Sequence, residues 1–336
     1  MSRADIAAAI LWAGATAYAL FGGADFGGGF WDLIAGDAEK GERPRALIQR
    51  SLTPVWEANH VWLIFILVVL WTAFPEAFGA IMTTLYIPLA LAAVGIVARG
   101  TGFAFRKEIE GLAGRRAAGA TFAVSSVLTP FFMGAVVGAI ATGEVPASGD
   151  GDPISSWLAP APLLIGLLFV ATSAYLAAVF LVGDARRAGE DDLERYFTRR
   201  AIVAAIVAGA AGAAGLIDMR ENARFVYDGL TGDALPLVIL SGLCGVAVLV
   251  LLVRREHHGL VRPLAGLAVV AVIWGWGVAQ FPYLLPTSLK IDAAAAPEPT
   301  LTTVLIVFVI AAILVLPSLA LLYVLSQRDL VGESSE

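Results

Sequence analysis

The sequence predicts an all-α fold: a polytopic transmembrane helical bundle of about nine helices, with the N-terminus outside and the C-terminus cytoplasmic. Three observations lead there. Of 336 residues, 59% are hydrophobic and only 15% are charged, against about 25% charged in soluble domains, and mean hydropathy is +0.81. The apolar residues gather in runs of about 20, the length a helix rising ~1.5 Å per residue needs to cross hydrocarbon. Of the 22 Lys and Arg residues, 18 fall in alternate connections and the C-terminal tail, the asymmetry that orients membrane spans.

The first segment, about 6–33, is long and ends in Gly27-Gly28-Gly29, so a break or tilt is expected near its end. Only Met-Ser-Arg-Ala-Asp precedes it and no cleavage site follows, so it reads as a retained helix. Segments at about 55–74, 77–98, 117–142, 157–183, 201–219 and 234–253 each satisfy the length rule. The eighth, 263–286, is interrupted by Pro282 and Pro286 beside the deep polar Gln280. Proline frees carbonyls and kinks a helix, so this point is either a shaped pocket or an ordinary helix terminus, and the terminus is favoured. The ninth segment is 301–325. Connections are loops of about 10–20 residues, which leaves a single transmembrane domain over 1–336.

The basic residues cluster in four connections: Lys40 to Arg50, Arg99 to Arg116, Arg186 to Arg200, and Arg254 to Arg262. Placing these on the cytoplasmic side sets the orientation. Trp31 and Trp56 then fall near inner ends, and Trp71 and Trp157 near outer ends, as interfacial anchors.

Charges at depth cost about 2.5–3.5 kcal/mol or more, so the few inside the spans are the informative residues. Asp25, in LFGGADFGGGFWD, has apolar or glycine neighbours and sits about 12 Å from the inner end of the first helix. Asp32 is nearer the interface and reads as solvated. Glu57, Asn59 and His60 fall within four residues, about one turn into the second helix. A carboxyl in low dielectric has its pKa raised, so Glu57 and Asp25 could exchange protons entering from the cytoplasm, with His60 as relay. Alternatively, both acids are structural, bonded to backbone or to a partner subunit. Arg99, at the inner end of the third helix, is expected to snorkel.

Several chemistries have no support. A net charge of −6 offers no field for nucleic acid. Cys244 is the sole cysteine, which excludes an intrachain disulfide and a CxxCH haem attachment. Of the three histidines only His60 lies in a span, so no facing pair exists to hold a b-type haem. No metal site and no nucleotide motif are expected.

Four stretches resemble subunit II of the cytochrome bd oxidase family across nearly the whole chain. The most specific is Pro54-Val55-Trp56-Glu57-Ala58-Asn59-His60-Val61-Trp62, with Ala73-Phe74-Pro75 following. Gly23 to Gly29, Arg99 to Lys107, and Phe281-Pro282 with Pro286-Thr287-Ser288 support it. The pattern departs at three places: Gly22 stands where the family has a first aspartate, Glu57 for an aspartate, and His60 for Gln or Glu. These mark a divergent branch.

The resemblance implies a multi-pass subunit in a bacterial plasma membrane, paired with a haem-bearing subunit I and reducing oxygen with quinol electrons. Haem b and haem d would sit in that partner, and none in this chain. Subunit II would supply scaffold and a cytoplasmic proton path through Glu57, beside membrane lipid and small accessory subunits. The glycine-rich end of the first helix and the polar start of the second would face the partner. Two other readings stand beside it: a proton-coupled secondary transporter, whose acids would be expected at the midplane with an inverted repeat, and a purely structural assembly subunit.

Overall fold

The computed structural model describes residues 2–36, 39–52, 56–108 and 112–327. The described residues form fourteen helices, one π-helical turn and a small hairpin. Among the described residues, eight helical stretches are long and apolar enough to span a membrane. A ninth is α4 (Trp56–Ala73) followed by α5 (Pro75–Thr84), bent by 117°.

The first span runs through α1 (Arg3–Ala17), a π turn (Tyr18–Gly22) and α2 (Gly23–Leu33). Ser2 and Asp5 form a capping box at its start, each side chain bonding the other's backbone N–H at 3.1 and 2.8 Å. The expected break is therefore real but lies at Tyr18–Gly22, ahead of the glycine run, which is helical and buried within α2.

A short amphipathic helix, α3 (Glu42–Leu52), follows and seals Leu47 and Ile48 into the core at 1% and 2% exposure. Its basic face is clamped to the connection between α8 (Pro160–Arg187) and α9 (Asp191–Asn222). Arg50 donates to Glu190 at 2.8 Å, Arg43 to Glu190 at 3.1 Å, and Arg43 also pairs with Asp192. The Arg50 hydrogen bond holds the Glu190 carboxyl below its ordinary value, with Arg43 adding to it against burial. A lowered acid pKa contributes stability that is present above the ordinary value of 4.5 and lost as pH falls through the lowered one. A spin label on exposed Ala46 should thus be immobile at neutral pH and gain mobility as pH falls below 4.5 and through the lowered value. Unchanged mobility would mean that packing alone holds α3.

The α4–α5 bend has a local cause. Phe74 is fully buried between the two helices, and Pro75 follows at the first helical position. Proline has no N–H to continue α4 and forces its predecessor out of the α region, yet suits a helix start. The 18 residues of α4 rise about 27 Å, nearly enough to cross hydrocarbon alone, so α5 lies across its end. The third span is accordingly α6 (Tyr86–Glu108), and the stretch read as 77–98 is shared between α5 and α6.

Next comes α7 (Leu112–Ala141), then the α8–α9 pair, a short α10 (Arg224–Thr231), α11 (Leu235–Arg254) and α12 (His258–Gln280). The eighth span stops at Gln280, as a terminus. Beyond it, β1 (Tyr283–Leu285) and β2 (Leu289–Lys290) pair antiparallel, α13 (Ile291–Ala294) follows, and α14 (Glu298–Gln327) closes the chain. Gln280 is buried and donates its amide N–H to the Leu284 carbonyl at 2.6 Å, tying the hairpin to the helix.

Two cores result. One centres on α8, packed by α2, α9, α11, α12 and the apolar face of α3. The other joins α1, α4, α5, the hairpin and α13. The end bearing α3 and the α8–α9 and α11–α12 connections holds most of the arginines and is called the arginine-rich end below.

Candidate functional site

Inside the bundle, Asp25 of α2 meets Arg99 of α6. Arg99 Nη1 donates to Asp25 Oδ2 at 2.8 Å, and Nη2 donates to Oδ1 at 2.7 Å and to the Asp25 carbonyl at 3.1 Å. Its Nε donates to the Ser126 hydroxyl of α7 at 2.9 Å, and that hydroxyl donates on to the Phe122 carbonyl at 2.6 Å. The guanidinium carbon lies 4.9 Å from the ring centres of both Phe26 and Phe122. Asp25 and Arg99 are 1% and 2% exposed. Charges in low dielectric cost several kcal/mol each unless geometry is good and the remaining donors are satisfied. Here a fork-to-fork pair, a hydroxyl and two aromatic faces meet those conditions.

The sequence builds this place in three steps. The π turn at Tyr18–Gly22 accommodates an extra residue, which rotates everything after it by about 100° relative to an unbroken helix. It thereby sets the direction of Asp25. Gly27 and Gly29 then let α2 approach its neighbours: a Cβ on Gly27 would fall on the Ser173 carbonyl of α8, and one on Gly29 would strike the Ser126 side chain. Finally, Arg99 lies nine residues before the end of α6, well inside the helix.

That placement corrects the expectation that Arg99 snorkels. The third span begins at Tyr86 and runs to Glu108, so a residue read as terminal becomes internal, and Asp25 offers a better partner than the interface. Asp32, read as solvated, is 5% exposed and pairs with Arg45 at 3.5 Å. Trp31, read as an interfacial anchor, is buried and donates its indole N–H to the Ala174 carbonyl at 2.8 Å. Trp71 does sit on the surface, 64% exposed and stacked on Phe78. The glycine-rich end of the first helix packs on α7 and α8 of the same chain, so it is not a face open to a partner subunit.

The side chains of Trp56, Glu57 and Asn59 lie outside the described residues. His60 is half-buried on α4, and Trp62, also half-buried, packs edge-on against Phe65 at 6.4 Å. The structure thus brings together Asp25 and Arg99, and adds Ser126, Phe26 and Phe122, which sequence reasoning missed. The one available signal was Ser125-Ser126, two hydroxyls in the middle of an apolar run. Among the described residues no group of His, Cys, Asp and Glu side chains is arranged to hold a metal ion.

Residues 3–326 match the model of the family described as cytochrome bd terminal oxidase subunit II. The chain is 23% identical over 274 residues to the cytochrome bd ubiquinol oxidase subunit 2 of Bacillus subtilis, covering 80% of this chain and 77% of that one. It is also 23% identical over 309 residues to the cytochrome bd-I ubiquinol oxidase subunit 2 of Escherichia coli, covering 82% and 80%. A chain of the bd oxidase from Geobacillus thermodenitrificans superposes with a TM-score of 0.77 at 24% identity, over 96% of this chain and 98% of that one, so the two share a fold.

Proposed function

This chain belongs to the cytochrome bd terminal oxidase subunit II family, and we propose that it serves its oxidase as scaffold and as the proton entry from the cytoplasm. It is a multi-pass subunit of a bacterial membrane oxidase. In our reading the arginine-rich end is cytoplasmic, following the bias of Lys and Arg toward that side. A haem-bearing subunit I is the partner, and quinol is the electron donor of the complex.

Haem b and haem d would supply electron transfer to oxygen, and we assign both to subunit I. A b-type haem held between helices by paired histidines is not supported by these residues: His60 lies inside α4, whereas His257 and His258 stand side by side at the start of α12. No step of the redox chemistry is therefore placed here. What the chain's own residues can do is hold helices together and move protons.

The observation that carries the division of labour is the closed Asp25–Arg99 pair. Both carboxylate oxygens of Asp25 are taken by one guanidinium, and a proton bound there would displace a hydrogen bond. Asp25, first read beside Glu57 as part of the route, is in this account the scaffold: it joins α2, α6 and, through Ser126, α7. Glu57 then remains as the acid at the start of α4, with no Lys or Arg within six residues on either side in sequence, and His60 three residues on. We assign the proton entry to Glu57, with His60 as relay.

Glu57→Gln should slow quinol-driven oxygen consumption about tenfold or more, as loss of a proton-transfer group does, while subunit yield and the haem spectrum stay unchanged. Glu57→Asp should retain most of the rate. Unchanged turnover in Glu57→Gln would leave the chain a purely structural subunit.

A further inference from the structure

We propose that the arginine-rich end of α9 and α11 binds an anionic phospholipid, with its phosphate on arginines that the chain leaves without a carboxylate. Other arginines at that end are consumed internally: Arg43 and Arg50 by Glu190, and Arg187 and Arg262 by Asp184. Arg195 and Arg199 of α9, and Arg254 and Arg255 at the end of α11, are different. All four are exposed, and none makes a hydrogen bond or ion pair with a described residue. A fold that pairs its neighbouring arginines leaves these four with positive charge to satisfy from outside.

What lies beneath them is apolar. On α9, Arg195 and Arg199 head a stripe continued by exposed Val203, Ile206 and Ile217; at 100° per residue these positions share one face of the helix. On α11 a shallow, open crevice along the helix surface is lined by Leu249, Val250, Val253 and Arg254, three apolar residues and one cation. It opens on the side away from Val248 and Leu252, which face the core. Those two residues share that core with Phe197 and Ala201, so α9 and α11 pack together and carry their arginines at the same end. Arg255 takes a left-handed conformation (φ 56°) that stops α11 there, so two adjacent arginines end the helix.

An apolar crevice rimmed by cations on the exposed face of an apolar span fits one ligand chemistry: an acyl chain bearing a phosphate. A free phosphate would use the arginines and leave the crevice unused. A zwitterionic lipid would fill the crevice, but its own cation would oppose the arginines. Basic clusters at the ends of spans attract anionic headgroups with about fivefold in affinity per arginine, and the attraction falls with salt.

The test uses the purified oxidase complex in detergent, with phosphatidylglycerol, phosphatidylcholine and inorganic phosphate as probes, read by lipid retained in native mass spectrometry and by Tm. The site predicts that phosphatidylglycerol is retained and raises Tm, that phosphatidylcholine and phosphate do not, and that 0.5 M salt weakens the effect. The double variant Arg254→Gln/Arg255→Gln should bind phosphatidylglycerol about 25-fold more weakly. Val250→Trp should weaken it too, by filling the crevice with both arginines in place, whereas Arg187→Gln should bind as the parent does. Equal retention of both lipids, equal stabilisation by phosphate, or undiminished binding by the double variant would each overturn the proposal.

Discussion

Arg99→Ala is expected to destabilise the chain by about 3–5 kcal/mol, the cost of leaving a buried charge without its partner. Native proteins are stable by only about 5–15 kcal/mol, so the variant should be recovered poorly, and the complex with it. The reason is geometric. With the guanidinium gone, both oxygens of Asp25 lose their donors at 1% exposure, and no described cation other than Arg99 touches them. Phe26 and Phe122 lose the cation between them, and the Ser126 hydroxyl keeps only its bond to the Phe122 carbonyl. Arg99→Lys should fall between, because a point charge cannot reproduce the two-pronged contact. Asp25→Leu/Arg99→Met removes both charges at similar volume and should recover most of the loss, since hydrophobic replacement of a buried pair is often neutral or better. Thermal unfolding of the purified complex checks the series. A single-variant cost below about 1 kcal/mol, the range of an exposed pair, would show that water reaches the site.

Gly27→Val should be comparably severe. Its Cβ would overlap the Ser173 carbonyl and crowd Ala177, and a backbone carbonyl inside α8 cannot rotate away. Overpacking usually costs about 1–3 kcal/mol; here the only relief is to separate α2 from α8, which also draws Asp25 off Arg99. Gly29→Ala meets a side chain instead, Ser126: turning its hydroxyl away gives up the bond to Arg99, and its Cβ, which the new methyl would overlap, still has to shift. Gly79→Ala is the contrasting case, with nothing within 4 Å of the new methyl, and should stabilise α5 by up to about 1 kcal/mol through helix propensity. Tm values in the order Gly79→Ala, parent, Gly29→Ala, Gly27→Val would bear this out.

The membrane bundle was legible in the chain because hydropathy and run length are properties of each segment alone. Pairings between segments were not. Asp25 and Arg99 each stood out as charges at depth, yet nothing local says that α2 and α6 meet beside α7. Arg99 was also placed at a helix end because the bend at Phe74-Pro75 moves the third span's start to Tyr86. The glycine run invited a break, and glycine does permit one; in the folded chain these residues serve close approach to α8, while the irregular turn sits at Tyr18–Gly22. Nor did α3 announce itself. Its burial depends on Leu47 and Ile48 finding the α8 core and on Arg43 and Arg50 finding a connection some 140 residues away.

The central claim is that Asp25 and Arg99 hold the bundle together while protons enter elsewhere, at Glu57. Quinol-driven oxygen consumption by the purified complex carrying Asp25→Leu/Arg99→Met tests it most directly. The account predicts parental turnover alongside a parental haem spectrum. Lost turnover with the haem spectrum intact would put the pair on the proton route and contradict it.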